Sequence, residues 1–332
     1  MSRISIIGAG SWGTALANIL CENNHSVLVY DNDLKTINDI NESHKIEKLP
    51  GVIIDNSIIA TSNMKELLEY SDIIILSIPT KVIRNVLGKI KDEINSPKLF
   101  VNTSKGIEPD SFKRISEIVY EIIPNEYIKG FVALTGPSHA EEVILKLPTT
   151  IVSVSENTED AKLIQNIFSN YTNFRVYTGS DLLGSELCGA LKNVYAIASG
   201  MLEGLGFGDN ARAGLITRAL VELRRVVIKL GAKPETLFGL TGVGDLIVTT
   251  TSHHSRNFQA GVKLASGSSL EETINSMSMV VEGARTCLAA YELIKKLNID
   301  APIITSVYKV LYEKVPVTKS LSELFSREFK EE

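Results

Sequence analysis

Residues 4–20 read ISIIGAGSWGTALANIL, a short apolar run followed by a glycine-rich turn and the first turns of an amphipathic helix. In a strand, turn and helix of this kind the first glycine (Gly8) makes the tight turn and the second (Gly10) lets the main chain approach a pyrophosphate, while the third (Gly13) lets helix and strand pack closely. The phosphates lie at the positively polarised N-terminus of the helix. Glycine spacing alone is weak evidence, but its position between a strand and a helix predicts a dinucleotide-binding domain.

Asp31 supports the same prediction and bears on which dinucleotide is preferred. It follows the second predicted strand, residues 26–30, where an acid accepts hydrogen bonds from the adenosine ribose hydroxyls of NAD. A glycine-rich turn that served packing alone would not explain an acid at this position. Asn32 and Asp33 come next and the first cation is Lys35, so the extra phosphate of NADP would meet acceptors and no fixed donor. The sequence therefore predicts binding of NAD(P)H with a preference for NADH.

The spacing of apolar residues divides the chain into two parts. Short apolar runs predict strands at residues 4–7, 26–30, 58–61, 72–78, 99–102, 131–134, 149–154 and 174–177, with helical segments such as 64–70, 82–90 and 160–168 between them. Beyond residue 181, the stretches 187–205, 211–230 and 283–297 have helical spacing, and there is almost no strand signal. We expect an α/β domain with a doubly wound parallel sheet (a Rossmann fold) over residues 1–182 and an all-helical substrate and catalytic domain over residues 183–332.

Composition and charge argue against several other classes of function. The chain of 332 residues has a formal net charge of -5 and offers no basic field for nucleic acid. Its cysteines, Cys21, Cys188 and Cys287, lack the paired spacing of a zinc or dithiol site, and His253 and His254 have no partner at metal-like spacing. No apolar run is long enough to span a bilayer and no signal peptide is visible. We expect a cytoplasmic protein without a metal site, a nucleic-acid partner or a membrane span.

Two isolated charges in apolar stretches are candidates for the chemistry of the second part. Lys192 is the only charged residue in residues 187–202 (LCGALKNVYAIASGML), and Asp245 is the only one in residues 236–251 (TLFGLTGVGDLIVTTT). A lysine at a helix edge can simply extend its tip to water, but burial lowers the pKa of a lysine and suits a general acid. Because an isolated buried charge is costly, Lys192 and Asp245 are candidates for one paired site.

Ser255, Arg256 and Asn257 lie at a predicted loop-to-helix junction and combine hydroxyl, guanidinium and amide groups. Such donors at a helix N-terminus suit a phosphate, although Arg256 taken alone is equally compatible with an ordinary surface position. Lys105 lies in the loop after the fifth predicted strand, where later strands of such sheets end over the dinucleotide crevice. These residues predict a dehydrogenase that acts on a small phosphorylated ketone or alcohol.

Seven blocks of sequence resemble the NAD(P)-dependent glycerol-3-phosphate dehydrogenase family in its bacterial cytoplasmic form. In chain order they are GAGSWGTALA (8–17), NTSKGIE (102–108), LTGPSHAEEV (134–143), ALKNVYAIASG (190–200), LTGVGDL (240–246), SRN (255–257) and VVEG (280–283). Their joint order is far more specific than the glycine motif. The resemblance implies reversible interconversion of glycerone phosphate and sn-glycerol 3-phosphate, which feeds glycerophospholipid synthesis.

The resemblance also assigns roles to single residues, with Lys192 as the proton donor and acceptor and Asp245 beside it. It implies cofactor contacts at Ser11, Trp12, Lys105, Ala140, Arg256, Val280 and Glu282, and substrate contacts at Lys105, Gly136, Ser138, Lys192, Asp245, Ser255, Arg256 and Asn257. The family commonly places Gly and then Arg after the second strand, where this chain has Asp31 and Asn32. A homodimer is expected from the general frequency of such assemblies alone.

Two other functions stay open at this point. Another dehydrogenase of similar build, for 3-hydroxy acids or 6-phosphogluconate, would also place a catalytic lysine on a helix after the dinucleotide domain, but the LTGPSHAEEV and SRN blocks argue against it. A nucleotide sensor without catalysis would keep the glycine turn and would not need two isolated charges in an apolar helical domain.

Overall fold

The computed structural model describes residues 1–109, 111–277, 281–328 and 331 of the chain. It forms two compact units, the first made of Met1–Ser104 and Lys113–Ser185 and the second of Lys105–Phe112 and Glu186–Glu332. A single domain boundary after residue 182 stays a prediction. The structure adds that the short segment Lys105–Phe112, from the first part of the sequence, belongs to the second unit.

Within the described residues, the first unit is built on one sheet of eight strands. They are β1 (Arg3–Ile7), β2 (Ser26–Tyr30), β3 (Ile59–Thr61), β4 (Ile73–Leu76), β5 (Lys98–Asn102), β6 (Ile128–Thr135), β7 (Thr149–Val154) and β8 (Phe174–Gly179). Their order in the sheet is β3-β2-β1-β4-β5-β6-β7-β8, and every neighbouring pair is parallel except β6 and β7. The strand order reverses between β1 and β4, which is where such sheets bind ligands at the carboxyl ends of their strands.

Helices cover both faces of this sheet. They are α1 (Ser11–Glu22), α2 (Leu34–Asn38), α3 (Met64–Tyr70), α4 (Thr80–Glu93), α5 (Ile115–Ile122), α6 (Ala140–Ile144) and α7 (Thr158–Phe168), with a π-helical turn at Asp39–Ser43 and a 3-10 turn at Asn125–Tyr127. Ile75 of β4 packs in one apolar layer, and its neighbours Ile74 and Leu76 pack in the other. Because both faces are buried, the strands are nearly continuous runs of Ile, Leu and Val, as in other parallel sheets.

Among its described residues, the second unit is helical throughout. Its helices are α8 (Leu182–Gly204, which begins in the first unit), α9 (Asp209–Lys229), α10 (Pro234–Leu237), α11 (Asp245–Thr251), α12 (Arg256–Ala265), α13 (Leu270–Asn275), α14 (Glu282–Lys296), α15 (Pro302–Tyr312) and α16 (Val317–Phe325), with a π-helical turn at Leu240–Gly244 directly before α11. Most of α8 is buried, as expected of a helix that is apolar on all sides. In the part of the chain that the structure describes, no helix combines the length and apolar character that crossing a bilayer requires.

The predicted fold class is confirmed. All eight predicted strands are present, although β4 is shorter than the predicted residues 72–78. The helices predicted at 187–205, 211–230 and 283–297 correspond to α8, α9 and α14. The structure adds one detail to the predicted parallel sheet: β7 runs antiparallel to β6, and β8 runs parallel to β7.

Candidate active site

Three charged side chains meet in the second unit. Lys192 in α8 pairs with Asp245 Oδ1 at the start of α11, and Lys105 Nζ lies 2.7 Å from Asp245 Oδ2. Lys192 is 5 % exposed and Asp245 1 %, whereas the Lys105 side chain is 20 % exposed. The Lys192 ammonium is therefore held inside the protein rather than extended to water, and each oxygen of one buried carboxylate binds one cation.

The cluster alters the proton affinity of its members. Burial, together with the nearby Lys105 ammonium, lowers the pKa of Lys192 to about 7, although the Asp245 carboxylate favours the charged form. Burial acts to raise the pKa of Asp245, but Lys105 and Lys192 together outweigh it and hold that pKa below its usual value. The carboxylate thus stays ionised, while Lys192 is able to release and take up a proton near neutral pH.

Thr249 is a member of this cluster that sequence reasoning missed. Lys192 Nζ donates to Thr249 Oγ1 at 2.7 Å, and that hydroxyl donates its own proton to the main-chain oxygen of Asp245 at 2.6 Å. A lysine ammonium has three donors, and within the described residues the third one of Lys192 has no acceptor. Thr249 lies one helical turn after Asp245, and this spacing is the signal that could have identified it.

The predicted phosphate-binding residues lie at the start of α12. Ser255 is the N-cap residue, and its hydroxyl oxygen accepts from the main-chain N–H of Phe258 at 3.3 Å. Arg256 is the first residue of the helix and Asn257 the second, and Asn257 is 8 % exposed. The hydroxyl proton of Ser255 stays available to a ligand, because the cap bond uses only an oxygen lone pair.

The predicted cofactor contact Glu282 is the first residue of α14. The main-chain N–H of the next residue, Gly283, donates to Asn257 Oδ1 at 2.9 Å, so the start of α14 is bonded to the start of α12. Val280, the other contact expected in this segment, lies outside the described residues.

The glycine-rich turn of the first unit fits a dinucleotide. Gly8 has a φ of +110°, and a Cβ there would overlap the carbonyl oxygen of Ser77, while a Cβ at Gly13 would overlap the carbonyl oxygen of Gly8. The described residues leave open space around Gly10, because apart from its two chain neighbours none of them has an atom within 4 Å of where its Cβ would be. The first turn of α1 has no side-chain cap and no acidic residue. Its main-chain N–H groups are thus suited to a pyrophosphate.

Asp31 is bonded to this turn. Its Oδ2 accepts from the main-chain N–H of Ala9 at 2.9 Å, and its Oδ1 accepts from that of Asp33 at 3.0 Å. The nearest cation along the chain, Lys35, is paired with Glu47 at 2.7 Å. The carboxylate is therefore oriented by the glycine turn, and Lys35 is engaged by another acid.

The other predicted positions of the first unit follow β6 or begin α1. Gly136 has a φ of +130°, and Ser138 Oγ donates to its carbonyl oxygen at 3.0 Å. Ala140 begins α6, which packs against α1, so the loop after β6 is joined to the helix of the glycine turn. Ser11 donates its hydroxyl proton to the main-chain oxygen of Lys48 at 3.1 Å, and Trp12 packs against the apolar layer that includes Ile75.

Among the described residues no group of three His, Cys, Asp or Glu side chains could hold a metal ion.

Comparison with known proteins gives full-length matches. The family model for the NAD-dependent glycerol-3-phosphate dehydrogenase N-terminus matches residues 3–161, and the model for its C-terminus matches residues 181–322. The chain is 47% identical over its whole length to glycerol-3-phosphate dehydrogenase (NAD(P)+) of Staphylococcus haemolyticus, covering 100% of both chains. It is 48% identical to the enzyme of the same name from Bacillus velezensis, over 98% of this chain and 95% of that one.

Solved structures show the same fold. The crystal structure of glycerol-3-phosphate dehydrogenase from Coxiella burnetii superposes with a TM-score of 0.91 at 32% identity, covering 98% of this chain and 99% of that one. The structure of glycerol-3-phosphate dehydrogenase from Plasmodium falciparum has a TM-score of 0.87 at 22% identity, over 99% and 97% of the two chains, and so supports the fold alone.

Proposed function

The chain belongs to the NAD-dependent glycerol-3-phosphate dehydrogenase family, and from this premise we propose that Lys192 is its proton-transfer group. The enzyme interconverts glycerone phosphate and sn-glycerol 3-phosphate with NAD(P)H as the redox cofactor. One observation carries the assignment of Lys192. Its buried ammonium is held by Asp245 and Thr249 with a pKa of about 7, and one donor is left for a ligand.

In the direction of ketone reduction, the third donor of Lys192 bonds the carbonyl oxygen of glycerone phosphate. The dihydronicotinamide, when bound, supplies the hydride that the carbonyl carbon accepts. The carbonyl oxygen gains negative charge as the carbon is reduced, and Lys192 transfers its proton to that oxygen, giving the alcohol and a neutral lysine. In the oxidative direction, neutral Lys192 removes the hydroxyl proton.

Asp245 and Lys105 set the conditions for this transfer. The Asp245 carboxylate orients Lys192 and stabilises its charged form, which must exist before the proton is given up. Lys105 adds positive charge on the opposite oxygen of the same carboxylate and lowers the pKa of Lys192. The resemblance implies that Lys105 contacts both cofactor and substrate. We assign Lys105 to polarising the substrate carbonyl and Asp245 to binding a substrate hydroxyl.

The substrate phosphate is assigned to Ser255, Arg256 and Asn257 at the start of α12. Arg256 offers paired donors, and a helix N-terminus favours an anion, so binding energy from the phosphate positions the reacting carbon. Gly136 and Ser138 are assigned as further substrate contacts on the resemblance.

For the cofactor, the glycine turn and the start of α1 would hold the pyrophosphate, and Asp31 would hold the adenosine ribose. We propose that NADH is preferred over NADPH, because Asp31 is fixed beside the turn and Lys35 is paired with Glu47. Further contacts are assigned on the resemblance alone to Ser11, Trp12, Lys105, Ala140, Arg256, Val280 and Glu282. A cytoplasmic homodimer that supplies glycerophospholipid synthesis completes the proposal.

The proposal is tested by mixing purified protein with NADH and following the loss of NADH absorbance. We expect rapid turnover with glycerone phosphate and far slower turnover with the same ketone lacking its phosphate, because the phosphate provides positioning energy. In a parallel assay with NAD+, oxidation of a 3-hydroxy acid but not of sn-glycerol 3-phosphate would contradict the assigned substrate site. Binding of NADH without turnover of any of these compounds would favour the alternative function, a nucleotide sensor without catalysis.

A further inference from the structure

Two buried amide side chains form a hydrogen-bonded relay in the second unit. Asn257 Nδ2 donates to Asn193 Oδ1 at 2.9 Å, and Asn257 Oδ1 accepts from the main-chain N–H of Gly283 at 2.9 Å. At the other end, Asn193 Nδ2 lies 3.4 Å from the carbonyl oxygen of Lys105. Asn193 directly follows Lys192 in α8 and is 5 % exposed.

The ends of the relay give it a direction. A main-chain N–H can only donate and a main-chain carbonyl can only accept. The N–H of Gly283 therefore requires the oxygen of the Asn257 amide, and the carbonyl of Lys105 requires the NH2 group of the Asn193 amide. If Asn257 turned its amide over, its Nδ2 would face the N–H of Gly283 and its Oδ1 would face Asn193 Oδ1. Such a buried arrangement leaves donors and acceptors unpaired and is strongly disfavoured. Asn193 and Gly283 therefore hold Asn257 in one orientation.

This orientation determines what Asn257 presents to a ligand. A carboxamide has two N–H donors, and the relay uses one of the two on Asn257 together with its oxygen. Within the described residues the second N–H has no partner. A phosphate dianion is bound by donors and repelled by a carbonyl oxygen, so the orientation imposed by the relay is the one that a phosphate requires.

We propose that Asn193 is a positioning residue for the phosphorylated substrate and that it acts only through Asn257. Asn193 need not touch the substrate, because its oxygen fixes the amide whose N–H faces the phosphate. The inference rests on the proposed function, which places the substrate phosphate at the start of α12. No comparable role follows from the sequence, because Asn193 has no charge and no spacing that marks it.

A double-mutant cycle tests this inference with Asn193→Leu, Asn257→Leu and the double variant. Asn193→Leu is expected to raise KM for glycerone phosphate by about tenfold, with kcat changed by less than about threefold and the Kd for NADH unchanged. Because Asn193 acts through Asn257, the double variant is expected to have the same KM as Asn257→Leu alone. If Asn193→Leu does not fold, Asn193→Ala makes the same test without adding bulk.

Asn23→Leu is the matched control. Asn23 Nδ2 bonds the carbonyl oxygens of Ile167 and Phe168 at 2.9 and 3.0 Å in the first unit, so the variant loses a comparable amide contact away from the site. Asn23→Leu is expected to lower Tm without changing KM. A fall in Tm with an unchanged KM in Asn193→Leu, or fold-changes of the two single variants that multiply in the double variant, would overturn the inference. Failure of the proposed function would show in the wild type itself, which would not turn over glycerone phosphate.

Discussion

The proposed proton transfer by Lys192 depends on the surroundings of this side chain. A lysine in water keeps its proton until the pH is near ~10.4 and is a poor proton donor at neutral pH. In this protein, burial lowers the pKa of Lys192 to about 7, and the Asp245 carboxylate opposes a further fall because it stabilises the charged form. This pKa suits the proposed role of the side chain as acid in one direction and as base in the other.

The first prediction follows from the sign of this shift. Ketone reduction needs protonated Lys192, so kcat for reduction is expected to fall as the pH rises through about 7, whereas kcat for oxidation is expected to fall as the pH drops through about 7.

Lys192→Ala is expected to lower kcat by about 10²- to 10⁴-fold and to leave the Kd for NADH unchanged. The measurements are pH profiles in both directions and NADH titrations. Full specific activity in a less stable Lys192→Ala protein would show that the lysine is structural.

Arg256 is expected to discriminate between binding of substrate and binding of cofactor. Arg256→Ala removes the guanidinium from the start of α12 and should raise KM for glycerone phosphate by at least about tenfold, with a much smaller change for NADH. Arg256→Lys should recover only part of the loss, because an ammonium lacks the paired donors. An Ala variant with unchanged KM for the phosphorylated substrate would remove Arg256 from the site.

The turn between β2 and α2 leads to a prediction about cofactor choice. Asp31 is bonded to Ala9, and Asp33 caps α2, so this turn presents carboxylates, which we propose would repel the extra phosphate of NADPH. We expect kcat/KM with NADH to exceed that with NADPH by on the order of a hundredfold. The ratio is measured at one glycerone phosphate concentration. Combining Asp31→Gly with Asn32→Arg should shift it toward NADPH, and equal efficiencies in the wild type would contradict this role of Asp31.

The start of α15 depends on a buried acid in α9. Glu222 is 2 % exposed and accepts from the main-chain N–H groups of Ile303 and Ile304 at 2.8 and 2.9 Å. Burial raises the pKa of Glu222 to about 7 from an ordinary 4.5, although the two N–H groups favour the ionised form. The folded state therefore holds this proton more tightly than the unfolded state does.

The sign of the resulting pH dependence is fixed. The contribution of protonated Glu222 to the free energy of unfolding is fully present when the pH is below the pKa of Glu222 in the unfolded protein. It is lost as the pH rises through about 7, the pKa in the folded protein. Relative to wild type, Glu222→Gln should therefore gain about 3 kcal/mol in unfolding free energy between pH 4.5 and pH 7, on top of a constant offset from its altered hydrogen bonding. Urea unfolding of both proteins across this range measures the difference. A difference that does not change with pH would show that Glu222 has the same pKa in the folded and the unfolded protein.

For the entire chain, the expectation is a homodimer, since two-fold dimers are the commonest closed assemblies of soluble proteins. Light scattering during size-exclusion chromatography should give twice the mass of one chain. A mass that equals one chain at micromolar concentration would contradict this expectation.

The elements of the fold could be predicted because their signals are local. Each strand of the sheet is a short run of β-branched and other apolar residues, and the glycine turn lies directly between β1 and α1. The antiparallel return of β7 was not predicted, because strand direction depends on how the connection from β6 crosses the sheet rather than on the residues of β7.

The sequence by itself determined the two-part architecture, the dinucleotide turn and the two isolated charges, because apolar spacing and a charge without neighbours are visible along the chain. Only the tertiary structure decided which side chains meet. Lys105 and Asp245 are 140 residues apart, and Asn193 and Asn257 are 64 apart, so no local pattern records these contacts. The hydrogen bonds from Lys192 to Thr249 and from Gly283 to Asn257 each join two helices, so they depend on precise helix placement, which packing of the whole second unit sets.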